Sequence, residues 1–157
     1  MFYGVENMVD RDDLLLQARG LLSGCRDPVA NAANLSALIW QALPRINWAG
    51  FYFMRDGRLL LGPFQGKPAC VEIRLDQGVC GLAARERRTV RVDDVHRFPG
   101  HIACDSASRS ELVVPLVDDS DTLLGVLDID SPETGRFGEP EQALFEGLAR
   151  VWIQSLG

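Results

Sequence analysis

Ile46-Asn47-Trp48-Ala49-Gly50-Phe51-Tyr52-Phe53-Met54-Arg55-Asp56-Gly57-Arg58-Leu59-Leu60-Leu61-Gly62-Pro63 is two extended runs about a central Asp-Gly pair. Its period is two. Asp56-Gly57 between two extended runs is a strong hairpin signal, because this pair tolerates the backbone that a tight turn demands. Along Ile46 to Arg55, Trp48, Gly50, Tyr52 and Met54 share one face, and Ala49, Phe51 and Phe53 share the other. Both faces are apolar or aromatic, so this strand must be covered on both sides. Arg58 to Pro63 is its hairpin partner.

Upstream, the period is helical. Asp10 to Ser23 places Leu14, Leu15, Ala18, Leu21 and Leu22 on one stripe, and Gly24 ends it. Asp27-Pro28 reads as a cap followed by proline at the first helical position, opening a helix to Leu43 that Pro44 stops. Downstream, Val71 to Leu75, Thr89 to Val92, Leu112 to Val117 and Thr122 to Asp130 read as strands, with a short helix over Gly78 to Arg87. Asp93 to Ser110 is a long aperiodic connection, the kind that carries function in a compact domain. Glu139 to Leu156 is amphipathic, burying Leu144, Phe145, Leu148, Val151 and Trp152. The order helix, helix, five or six short strands, helix predicts an α+β domain over residues 1–157, an antiparallel sheet with the N- and C-terminal helices on one side.

Composition narrows the function. At 157 residues, 46% hydrophobic and 24% charged, the chain has the makeup of one soluble globular domain. A net charge of -6 argues against nucleic acid, and the basic cluster Arg85 to Arg91 reads as a solvated helix end and turn. No apolar segment approaches the ~20 residues a membrane span needs, and Met1 to Asp13 lacks the pattern of a secretory signal. A cytoplasmic location follows as an expectation, in which four cysteines mean reactive thiols or metal rather than structural disulfides.

The last hairpin carries acids. If Val117 faces Thr122 across Asp118-Asp119-Ser120-Asp121, Glu111 sits opposite Asp128, and Asp130 shares their face with Leu124 and Val126. Three carboxyls on one apolar row would attract a cationic group, and at least one would take a raised pKa and serve as a general acid. The alternative is that they lie past the strand ends in solvent, and a slip of one residue would send Glu111 to the other face.

The thiols lie nearby in sequence. Cys104 sits among small polar residues in Pro99 to Glu111, seven positions before Glu111, where it is either a reactive thiol or a small apolar filler. Cys70 closes the Gly- and Pro-punctuated loop Gly62 to Cys70, and Cys80 lies at a helix start where the dipole favours thiolate. His101-x-x-Cys104 is half of a zinc site with no second half, so no metal is expected. A nucleophile with a resolving partner fits three loop thiols better, and Cys25, apart from the rest, is incidental.

The chain resembles the free methionine-(R)-sulfoxide reductases, enzymes built on a single GAF domain. The resemblance rests on Asn47 to Tyr52, Leu61 to Cys70, Gly78 to Gly81, Asp94 to His96, Phe98 to Glu111 and Gly125 to Pro132. It implies Cys104 as the nucleophile that becomes a sulfenic acid, Cys70 as the resolving thiol and Cys80 as an alternative one. It further implies Glu111 and Asp130 in catalysis and Asp128, Trp48, Tyr52, Ile102 and Ala103 in substrate binding. Thioredoxin would be the reductant, with no bound cofactor. The fold also admits a non-catalytic small-molecule or redox sensor, and the outer helices admit a homodimer.

Overall fold

The computed structural model describes residues 10–100 and 107–157. Two helices lead, α1 over Arg11–Leu22 and α2 over Pro28–Ala42. Each begins on an aspartate whose side chain accepts a first-turn N–H: Asp10 from Asp13 at 3.1 Å, Asp27 from Ala30 at 2.8 Å. Then come β1 (Trp48–Arg55), β2 (Arg58–Gly66), β3 (Glu72–Ile73), α3 (Gly78–Glu86), β4 (Val90–Val92), β5 (Ser110–Val117), β6 (Leu123–Ser131) and α4 (Glu139–Ser155). The sheet order is β3-β2-β1-β6-β5-β4, antiparallel throughout. No described helix is long and apolar enough to cross a membrane.

The two faces of β1 divide the protein, as their alternation requires. Ala49, Phe51 and Phe53 point toward α1, α2 and α4, packing with Leu35, Ile39, Leu112, Leu127 and Trp152. The N- and C-terminal helices therefore share one side of the sheet. Trp48, Tyr52 and Met54 point to the other side, where α3 supplies Val79, Cys80 and Ala83. This short helix lies over β5 and β6 and shares one buried cluster with Trp48 and Tyr52.

The last hairpin differs from its expected register. Glu111 pairs with Asp130 rather than Asp128, and Val113 stands opposite Asp128. Two one-residue shifts produce this. The Asp118 N–H bonds the Thr122 carbonyl at 3.0 Å, so the turn is one residue longer and Val117 faces Leu123. A bulge next to Leu116 and Val117 then sets Leu116 opposite Gly125. One shift would move the acids to the other face, and the second restores them. Leu124, expected beside the acids, is carried by the bulge to the helical side and packs with the core there.

Candidate active site

Strand pairing draws the acids into two adjacent rows. Trp48 on β1 faces Asp130 on β6, which faces Glu111 on β5. The next row is Gly50, Asp128 and Val113. Because facing residues in a ladder share a side, all three carboxyls lie on the α3 face. Glu111 and Asp128 are only 8% and 5% exposed, so they are interior groups and not solvated strand ends.

Cys80 completes the cluster from above. It sits in the first turn of α3, buried, with its Sγ 3.8 Å from Glu111 Oε2. Single ligand atoms of Cys80, Glu111 and Asp128 lie within 4.8 Å of one another, the one group of described residues arranged to hold a metal ion. Protons compete for the same atoms. Burial first, and then the Asp128 charge, push the Glu111 carboxyl well above its ordinary pKa. Burial and the Asp130 charge do the same to Asp128. The Cys80 thiol is pushed up by burial and by Asp128 and Glu111, so it stays S–H. This corrects the expectation of a dipole-stabilised thiolate in a loop: a half-charge at a helix end cannot offset dehydration beside two carboxyls. One oxygen of Asp128, Oδ1, is buried without a hydrogen-bond partner.

Aromatic rings form the adjoining wall. Trp48 stacks on Tyr52 at 5.8 Å between centroids and on Phe64 at 5.2 Å. Gly50 makes this wall possible. A Cβ there would stand 2.3 Å from the Phe64 Cβ, so only a bare backbone lets β2 bring Phe64 over the ridge. Phe64 was not among the expected site residues, although a glycine flanked by strand aromatics is the signal for such a close approach.

The polar ends of the same rings bind the loop after β2. Trp48 Nε1 donates to the Lys67 carbonyl and Tyr52 Oη to the Cys70 carbonyl, both at 3.1 Å. Cys70 is disulfide-bonded, whereas Cys25 and Cys80 are free. Ile102, Ala103 and Cys104 lie outside the described residues. Cys25 sits between α1 and α2, where its carbonyl accepts from Asn31 at 2.8 Å, on the helical side of the sheet.

The six-stranded antiparallel sheet with helices on both faces is a GAF fold, and residues 31–151 match the GAF domain family. The chain is 50% identical over 140 residues to the free methionine-R-sulfoxide reductase of Escherichia coli (strain K12), covering 88% of this chain and 84% of that one. Among solved structures, fRMsr of Staphylococcus aureus in complex with substrate is 45% identical with a TM-score of 0.92, covering 96% of this chain and 98% of that one. The free methionine-R-sulfoxide reductase of Neisseria meningitidis in complex with its substrate is 39% identical with a TM-score of 0.89, covering 93% and 87%. The chain belongs to the free methionine-R-sulfoxide reductases, and it is an oxidoreductase.

Proposed function

We propose that this chain reduces free L-methionine-(R)-S-oxide to methionine through its own thiols. The observation that carries the reading is the pair of buried carboxyls Glu111 and Asp128 on one sheet face with the half-buried Asp130, beside Trp48. An ammonium group brought to these carboxyls gains charge-assisted hydrogen bonds and satisfies the free Asp128 Oδ1. The thioether end packs against the rings of Trp48 and Tyr52, and Ile102 and Ala103 take the substrate carboxylate. Recognising both charges selects the free amino acid over a methionine within a chain.

Cys104 attacks the sulfoxide sulfur, and its sulfur carries the oxygen away as sulfenic acid while methionine leaves. Glu111 and Asp130 supply the proton that the sulfoxide oxygen needs, since oxide is a poor leaving group. A carboxyl held neutral by burial can donate at pH 7. Cys70 then displaces the sulfenic oxygen as water and closes a disulfide with Cys104. The bonded state of Cys70, with Cys25 and Cys80 free, supports that pairing. Cys80 is the weaker resolving candidate because it is buried in α3 as a donor to Glu111.

We further assign residues 1–157 to one domain acting without a bound cofactor in the reducing cytoplasm, where thioredoxin returns both sulfurs to thiols. Pairing of two copies through the outer helices is compatible with this scheme. The test is incubation with dithiothreitol and the separate R and S forms of free methionine sulfoxide. The R form is consumed and the S form spared; a folded protein that leaves the R form untouched overturns the reading.

A further inference from the structure

The segment that carries Cys70 has no regular structure of its own between β2 and β3. Besides the disulfide bond of Cys70, hydrogen bonds among the described residues fasten it. Trp48 Nε1 holds the Lys67 carbonyl, Tyr52 Oη holds the Cys70 carbonyl, and the Leu61 N–H holds the Val71 carbonyl at 2.9 Å. Gly66, at φ 129°, presses the start of the segment onto β1, since a Cβ there would lie 2.8 Å from both the Asn47 carbonyl oxygen and Trp48 Cδ1. Lys67, Pro68 and Val71 are exposed, and Ala69 and Cys70 pack partly buried against the cluster of Trp48 and Tyr52. The side-chain anchors therefore come from the same two rings that form the wall beside the acids.

Of these anchors, only the Tyr52 phenol grips the main chain of Cys70 itself. Tyr52 is 2% exposed and its ring is pinned by the stack on Trp48, so the hydroxyl is a fixed point. Burial and the Asp128 charge raise its pKa, which keeps it a donor.

We propose that Tyr52 is a positioning residue for disulfide closure, its hydroxyl holding the Cys70 backbone where the thiol can reach the oxidised nucleophile. The inference rests on the reading of Cys70 as the resolving thiol. In that step the Cys70 sulfur forms a bond to the Cys104 sulfur and the sulfenic S–O bond breaks. The oxygen leaves as water with the Cys70 proton, and no further oxidant is needed. A loop freed from Tyr52 samples more positions, so closure slows while the preceding oxygen transfer, which does not involve Cys70, is affected less.

The reduced full-length chain and its Tyr52→Phe variant are mixed with one equivalent of free methionine-(R)-sulfoxide without reductant. Released methionine, dimedone-trapped sulfenic acid and remaining thiols are followed in quenched samples. The expected result is a roughly ten-fold fall in closure relative to methionine release, about 1.4 kcal/mol, with trapped sulfenic acid accumulating. A merely structural role slows both steps alike and leaves their ratio unchanged, which overturns the inference. If Tyr52→Phe does not fold, Tyr52→Met removes the same hydroxyl with a flexible side chain that refills the space, and an unchanged ratio there has the same force. Absence of methionine from the parent chain would overturn the reductase reading rather than the tether.

Discussion

Gly50→Ala is the smallest change that should damage both fold and site. The added Cβ would meet Phe64 Cβ at 2.3 Å, Phe64 Cα at 2.7 Å and the Pro63 carbonyl oxygen at 2.8 Å. No rotamer change relieves this, because the obstructing atoms belong to or adjoin the β2 backbone. Ordinary contact begins at 3.4 Å, so the strands would have to part by about 1.1 Å. Ladder hydrogen bonds do not survive stretching by that much. The cost falls at the upper end of the range for overpacking, about 3 kcal/mol, or a fall of about 6–12 °C in Tm for a chain of this size. The site suffers as well. Phe64 leaves its stack on Trp48, and the Cys70 segment follows β2 outward. A displacement near 1 Å beside reacting groups can cost on the order of 100-fold in rate. Urea and thermal unfolding with steady-state kinetics measure both effects. Gly20→Ala, in α1 with nothing within 4 Å, is the control and should gain about 0.5–1 kcal/mol. A Gly50→Ala protein within about 0.5 kcal/mol of the parent and fully active would refute the close-approach argument.

Further outcomes concern the acids and thiols. Glu111→Gln should lower kcat/KM by about 10²–10⁴-fold by removing a general acid, with Asp130→Asn also lowering activity. Asp128 and Glu111 have folded pKa values raised by burial, so the folded state binds their protons more tightly than the unfolded chain does. Their contribution to stability is full below about pH 4, the unfolded range, and is lost as pH rises through the raised folded values. Asp128→Asn should therefore gain stability relative to the parent as pH increases, which urea melts from pH 5 to 9 would show; a constant difference contradicts it. Cys104→Ser should abolish even the first turnover, whereas Cys70→Ser should release one methionine per chain and recycle slowly with thioredoxin. Full thioredoxin-linked turnover of the latter would refute its resolving role. Cys25→Ser, on the far side of the sheet, should retain parental kinetics.

Local sequence determined much of this protein by itself. Aspartates placed just before Arg11 and Pro28 can cap only a helix start, and Asp56-Gly57 between period-two runs can close only a hairpin. The alternation along Trp48 to Arg55 told which residues face which layer, because side chains of a strand have no other choice. Which acid faces which was another matter. It depended on turn length and on a bulge, two backbone choices that cost little energy and leave faint marks in composition, and whose one-residue shifts happened to compensate. The charge state of Cys80 was likewise decided by what α3 was pressed against. Cys80 on α3 meets Glu111 and Asp128 only because the fold lays α3 over a hairpin further along the chain, and dehydration is a property of the assembled interior. The hold of Tyr52 on the Cys70 carbonyl belongs to the same class: a main-chain acceptor has no signature in sequence, and only packing brings a phenol to it.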